Sequence, residues 1–213
     1  MKTLLITIAL FCSVACFAQT DKYVATMKQN MAMQDSVKTK DDMLALSNAF
    51  ERIAKAEKDK WQPYYYAALQ QILRCYQMQG PDASNIDTEL NRADELLANA
   101  EVISPNSSEL VCLKSMIATG RMMVDYMERT AIYGPKATEL LTQAIKLDPN
   151  NPRAYLLLGQ NLLYTPAMYG GGKEKAKPVL EKSVQLFETF KPATDLDPAW
   201  GKNMAVSLLK KCE

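Results

Sequence analysis

The chain has 213 residues, of which 25 are lysine or arginine, 24 are aspartate or glutamate and none is histidine. This balance of charge argues against a basic surface built for nucleic acid, and the lack of histidine removes the commonest general base and metal ligand of proteins. The length suits one ordinary domain with a buried core.

The first 18 residues have the layout of a secretory signal peptide. Lys2 is followed by an apolar run too short to span a bilayer, and a polar stretch follows Ala18, after which we place the cleavage. Because "SVAC", ending at Cys16, is a loose version of a lipoprotein site, a lipid anchor at Cys16 is the alternative. The sequence therefore predicts an exported protein, periplasmic or secreted, with one domain over residues 19–213 and no membrane span in the mature chain.

Several methionines lie near the start of the mature chain. Tyr23, Met27 and Met31 are spaced four residues apart, which predicts one face of a capping helix over residues 22–38. Thioether clusters can bind copper(I) in exported proteins, but methionine is also a flexible filler of hydrophobic cores. We therefore interpret the early methionines as packing residues and predict no metal site; they are Met27, Met31, Met33 and Met43.

A short pattern then recurs along the chain at a fixed distance. "AFERIAKAEK" begins at Ala49, "ADELLANAEVISP" at Ala93 and "ATELLTQAIKLDPNNP" at Ala137, so these copies are 44 residues apart. A second alanine follows seven residues later in each copy, on the same face of a helix with a 3.6-residue period. Small side chains at this spacing let neighbouring helices approach closely, which predicts stacked helix pairs that share a core.

Prolines, glycines and asparagines divide the mature chain into helical segments, and no stretch has the alternating pattern of a β-strand. The sequence therefore predicts an all-α fold. The predicted helices cover residues 22–38, 41–58, 63–79, 85–103, 107–128, 134–147, 152–164, 174–190 and 198–211.

Two sets of side chains connect these helices with a known repeat. They are Tyr155, Leu158, Gly159 and Leu162 on a first helix, and Ala137, Leu141, Ala144 and Pro149 on a second. Their order and spacing resemble the tetratricopeptide repeat family, although that family has a period of about 34 residues and the middle unit here offers only "LVCLKSM". The resemblance implies a right-handed α-solenoid of about four antiparallel helix pairs, a C-terminal capping helix and a concave groove.

The resemblance also implies which side chains line the groove, because the family binds peptides or partner proteins along its first helices. Arginine and glutamine suit the carbonyls and carboxylates of an extended peptide. The residues expected there are Tyr64, Gln71, Arg74, Arg121, Arg153, Gln160 and Tyr164. The main hypothesis is thus an exported scaffold for a protein or peptide partner, without catalysis or a cofactor. The alternative is a small-ligand-binding accessory component of an envelope uptake system, with its ligand in an apolar pocket between helices.

Residues 168–177, "MYGGGKEKAK", form the most distinctive irregular stretch. Three glycines before a helix start can present backbone N–H groups to an anion. The spacing of a phosphate-binding Walker motif is absent. We therefore interpret the stretch as a flexible turn, with anion binding as the alternative.

The mature chain keeps three cysteines, Cys75, Cys112 and Cys212. In the 44-residue register Cys75 lies seven positions further along its helix than Cys112, which is about 10 Å. A disulfide requires Cα atoms closer than about 7 Å. The sequence therefore predicts free, mostly buried thiols, and no arrangement of nucleophile, base or paired acids indicates an enzyme.

Overall fold

Four of the described helices begin at polar residues that cap free backbone N–H groups. The side chain of Thr39 accepts a hydrogen bond from the N–H of Asp42, and Ser107 and Asn151 cap later helices in the same way. The computed structural model describes residues 21–78 and 84–213. The predicted signal peptide, with Cys16, lies outside these residues.

Every regular element in the described residues is helical and none is a strand, so the all-α prediction is confirmed. The handedness of the stack and the single domain stay predictions. Helix α1 covers residues 21–33 of the described chain. The others are α2 (Lys40–Ala56), α3 (Gln62–Tyr76), α4 (Ile86–Ile103), α5 (Ser108–Met122), α6 (Tyr126–Leu147), α7 (Pro152–Tyr164), α8 (Lys173–Thr189) and α9 (Lys202–Lys210), with a 3-10 turn at Ala167–Tyr169.

One predicted boundary was wrong. The sequence predicts a break at Gly134 and Pro135, but α6 begins earlier, at Tyr126, and runs through both residues. Asp125 starts this helix, because its side chain accepts a hydrogen bond from the N–H of Glu128 at 3.0 Å. A residue before proline is pushed away from the helical conformation partly by its own Cβ, which Gly134 lacks.

The helices are arranged in two rows. Consecutive helices pack against each other, and the odd-numbered helices α3, α5, α7 and α9 also contact one another in series. We call these four helices the inner row. Small residues allow the close contacts: a Cβ added at Gly159 of α7 would lie 2.6 Å from the side chain of Leu180 in α8.

The first copy of the repeat is displaced by one residue from its predicted register. The alanines of the two later copies are completely buried, whereas Ala56 is exposed and Ala49 only half-buried. Phe50 instead takes the buried position in α2 that Ala93 takes in α4, 43 residues later. The Phe50 ring stacks on the ring of Tyr66 in α3, with the ring centroids 5.2 Å apart. This aromatic pair fills the space between α2 and α3.

The core consists of two clusters. The larger runs from α1 to α7 and the smaller joins α7, α8 and α9, while Trp200 packs against both. Met27 is completely buried and Met43 nearly so, which confirms that these two methionines are packing residues. Met33, in contrast, is 46% exposed.

The three cysteines of the described chain are free, buried thiols. Burial raises the pKa of Cys75 to about 12 and raises that of Cys112 well above its ordinary value. Since the thiolate is the reactive form, these thiols are poor nucleophiles near neutral pH.

Arg153 connects three parts of the fold. Its side chain is completely buried, and Nε and Nη2 donate hydrogen bonds to the carboxylate of Glu109 at 2.8 and 2.7 Å. Nη1 donates to the carbonyl oxygen of Trp200 at 3.1 Å, and the guanidinium lies 4.6 Å from the ring centroid of Phe190. Burial alone would lower the pKa of Arg153, but the Glu109 carboxylate outweighs it and holds that pKa above its ordinary value.

Residues 190–201, which we call the C-terminal segment, lie across the inner row. Trp200 Nε1 donates a hydrogen bond to the hydroxyl of Tyr65 in α3 at 2.9 Å. Asp197 accepts one from Gln62 at 2.9 Å, and Asp195 pairs with Lys28 of α1 at 2.6 Å. The segment therefore connects α7 with α3 and α1.

Replacing Ala93 with leucine tests the packing of α4. Ala93 is completely buried, so the larger side chain should overpack the interface and lower the free energy of unfolding by about 1–3 kcal/mol. Chemical denaturation measures the change. Ala56→Leu is the matched control, because Ala56 is exposed; equal losses in the two variants would show that the interface is misplaced.

Replacing Glu109 with glutamine tests the buried ion pair. The variant keeps the shape of the side chain but leaves the Arg153 guanidinium buried without a counter-charge, so unfolding should become easier by about 3–5 kcal/mol. Glu139→Gln is the control, since Glu139 pairs with Lys136 on the surface and its loss should cost less than about 1 kcal/mol. A Glu109→Gln protein as stable as wild type would contradict the structural role of the pair.

Candidate functional site

Helices α3 and α5 of the inner row have little exposed surface. Nearly every residue of α3 and α5 is buried or half-buried. Helix α1 contributes Tyr23 and Met27 to the same core as α3, and the C-terminal segment binds α3 through Tyr65 and Gln62. Several of the side chains predicted to line a groove instead contact neighbouring helices.

Gln71 and Arg74 come together on one acid of the next helix. Gln71 is completely buried and its amide nitrogen donates a hydrogen bond to Glu89 of α4. Arg74 Nη1 lies 3.0 Å from the other carboxylate oxygen of Glu89. Tyr64, on the same helix, is half-buried against the core. Gln71 and Arg74 thus join α3 to α4.

Arg121 belongs to a second polar group between helices. It donates hydrogen bonds to Asn91 and Asp94 of α4 at 2.8 and 2.7 Å and lies 3.3 Å from Asp87. Asp87 also accepts from Arg129 of α6 at 2.7 Å. This group ties α4, α5 and α6 together.

The three residues predicted on α7 have different environments. Arg153 is buried in its contact with Glu109, and Gln160 is half-buried. Tyr164, the last residue of α7, is 57% exposed. Four of the predicted groove residues thus contact residues of other helices; they are Gln71, Arg74, Arg121 and Arg153. That the predicted residues line a groove stays a prediction.

Tyr164 is held by a lysine from the end of the chain. Lys211, directly after α9, donates a hydrogen bond from Nζ to the Tyr164 hydroxyl at 3.0 Å. The same ammonium group lies 5.7 Å from the centroid of the tyrosine ring. Sequence analysis placed Tyr164 on an accessible helix face but missed Lys211, because no repeat relates the two positions.

The glycine-rich stretch is more constrained than a flexible turn. The N–H of Gly172 donates to the carbonyl of Leu162 at 2.8 Å, and a Cβ added at Gly171 would lie 2.1 Å from the carbonyl oxygen of Thr165. Gly170 and Gly172 have φ of 89° and 101°, which favours glycine. The backbone therefore needs these glycines to fold back on the end of α7.

This turn exposes two large side chains that follow Tyr164 in the sequence. Met168 is 81% exposed and Tyr169 is 73% exposed. We call Tyr164, Met168, Tyr169 and Lys211 the Tyr164 patch. It combines two phenols, a thioether and an ammonium group.

A second exposed apolar group lies at the start of α6 and was missed by sequence analysis. Met127 is 90% exposed, Ile132 66% and Tyr126 56%. Ile132 lies nine residues before the buried Leu141, which places it on the opposite face of α6. Tyr126 and Met127 fall on the buried face by spacing, so spacing alone gave no sign of their exposure. The structure gives the Tyr126 hydroxyl no hydrogen-bond partner among the described residues.

The other features of the described chain form neither a metal cluster nor a membrane-spanning helix. No group of three or more cysteine, aspartate or glutamate side chains there is arranged to hold a metal ion. A depression beside α2 is lined by charged side chains, among them Glu51, Arg52 and Arg92. No helix in the described part is both long and apolar enough to cross a membrane.

Comparisons with known proteins show which family the chain belongs to. No protein-family model matches it, so the likeness to tetratricopeptide repeats is carried by its residues alone. No curated protein matches it either. Among solved structures it is similar to the HusA haemophore from Porphyromonas gingivalis, with 37% sequence identity and a TM-score of 0.81, over 90% of this chain and 92% of that chain. With this identity over nine-tenths of both proteins, the chain belongs to the same family as the HusA haemophore.

Proposed function

We propose that the protein is an exported, non-catalytic binding protein for haem or a closely related porphyrin. The observation that carries this proposal is the 37% identity to a haemophore over nine-tenths of both chains. The proposal corresponds to the small-ligand alternative of the sequence analysis rather than to the peptide scaffold.

The contacts of the inner row favour a small ligand over a long peptide. Arg74, Arg121 and Arg153 would have to meet the peptide, but each is paired with an acid of a neighbouring helix. The pair of Arg153 with Glu109 is buried, and breaking such a pair costs several kcal/mol. A ligand that needs only a short surface at one end of the stack avoids this cost.

The accessible donor atoms also fit haem. Haem is a flat apolar ring with two propionates and an iron atom that takes histidine, cysteine, methionine or tyrosine ligands. The chain has no histidine, and its three described cysteines are buried. Exposed tyrosine and methionine side chains remain as ligands; those more than half exposed are Tyr126, Met127, Tyr164, Met168 and Tyr169.

The same features support a role without catalysis. Burial raises the pKa of Cys75 and Cys112, which leaves the thiols protonated. The acids that contact arginines, such as Asp87 and Glu109, each stabilise a contact between helices. The two thiols are therefore not activated as nucleophiles.

Titration with haemin tests the function. The purified protein should shift the main visible absorption band of haemin in a saturable way, with one haemin per chain and a dissociation constant on the order of 1 µM or tighter, which is about −8 kcal/mol. Metal-free protoporphyrin, followed by fluorescence, separates recognition of the ring from binding of the iron. The control is the same protein unfolded in guanidinium. A spectral change no larger than that of the unfolded control would contradict the proposal.

A further inference from the structure

We infer that a cleft between α1 and α2 binds a second kind of ligand, an alkyl chain that ends in a carboxylate, as in a fatty acid. Arg52 at one end of the cleft receives the carboxylate, and the apolar walls between the two helices receive the chain. The cleft shares no residue with the Tyr164 patch, and the inference does not depend on the proposed binding of haem.

The cleft has the size and shape of a site for a small chain. Its volume of about 410 Å³ lies within the range of small-molecule sites in proteins. The α2 wall consists of Asp42, Ala45, Leu46, Ala49 and Arg52, which are three or four residues apart and therefore share one helix face. From Asp42 to Arg52 is ten residues, so the wall extends about 15 Å along the helix.

The middle of the cleft is apolar. Leu46, which is 3% exposed, lies in the α2 wall between Ala45 and Ala49, whose short side chains leave room above the helix. Met33 and Val37 line the opposite wall, from the end of α1 and the turn after it. Met33 is 46% exposed, and an alkyl chain in the cleft would remove part of this apolar surface from water.

The two ends of the cleft differ in charge. Arg52 is exposed and has no hydrogen-bond or ion-pair partner among the described residues, whereas the other five arginines of the sequence each pair with an acid. A free guanidinium can bind a carboxylate through two parallel hydrogen bonds. At the other end Asp42 is an acid that already accepts a hydrogen bond from the Thr39 hydroxyl at 2.6 Å. A carboxylate ligand is therefore directed to the Arg52 end.

A neighbouring depression strengthens the positive charge at that end. Arg52 also lines this depression, together with Glu51, Lys55 and Arg92. Burial alone would raise the pKa of Glu51, but Lys55 and Arg92 outweigh it and hold that pKa below its ordinary value, so the acid is ionised. Three cations and one acid leave an excess of two positive charges, which favours an anionic head group over a cationic one.

Titration with decanoate, followed by NMR of the backbone amides, tests the inference. Decanoate should bind in a saturable way with a dissociation constant below about 1 mM, and the amides that shift should lie in residues 30–52 rather than in α8. Decyltrimethylammonium, which has the same chain and the opposite charge, should bind at least about tenfold more weakly. Equal binding of the two compounds, or no saturable binding of decanoate, would overturn the inference.

Arg52→Gln tests the carboxylate contact. Because Arg52 has no partner among the described residues, the variant should fold as wild type does, which circular dichroism checks. Its affinity for decanoate should fall at least about tenfold, which corresponds to about 1.4 kcal/mol. The matched control is Lys182→Gln, which removes an exposed cation of α8 and should change the affinity less than about twofold.

Ala45→Phe tests the apolar part of the cleft. Ala45 is exposed and lines the cleft, so the larger ring should fill the space of the alkyl chain and weaken decanoate binding at least about tenfold. Ala56→Phe places the same ring at an exposed position of α2 outside the cleft and should leave binding unchanged. Wild-type affinity in Arg52→Gln or in Ala45→Phe would contradict the site, while the haemin titration of the same proteins reports separately on the proposed function.

Discussion

The buried pair of Arg153 and Glu109 is the interaction on which the C-terminal half of the structure depends. A guanidinium taken out of water is stable only with a counter-charge and full hydrogen bonding. Glu109 supplies the charge from α5, and the carbonyl of Trp200 supplies the remaining acceptor. Satisfying one arginine thus fixes α5, α7 and the C-terminal segment together and sets where α9 begins.

The same C-terminal segment covers part of the inner row. The C-terminal segment reaches back to α1 and α3 through Asp195 and Asp197, so the inner helices are enclosed by the protein itself. Groups of exposed apolar side chains remain at two places in the described chain, where α7 ends at Tyr164 and at the start of α6.

Local patterns in the sequence were enough to predict the helices but not the contacts of the candidate site residues. Prolines and recurring alanines predict the all-α stack because they act within one helix or between equivalent helices. The register of the first copy was predicted wrongly because Phe50, not an alanine, takes the buried position there. The repeat register predicted Arg153 at a surface groove. Its burial could not be predicted, because it depends on residues 190–201, which carry no repeat. The hydrogen bond between Lys211 and Tyr164 could not be predicted either, because no repeat relates these two positions.

Hydrogen exchange of the α9 amides in an Arg153→Met protein tests most directly whether the buried pair positions the C-terminal helix. Local opening is reported by exchange under native conditions. If Arg153 holds α9 beside α7, residues 202–210 should exchange at least about tenfold faster than in wild type, equivalent to about 1.4 kcal/mol, while α2 keeps its protection. Unchanged protection of α9 would contradict the role given to Arg153.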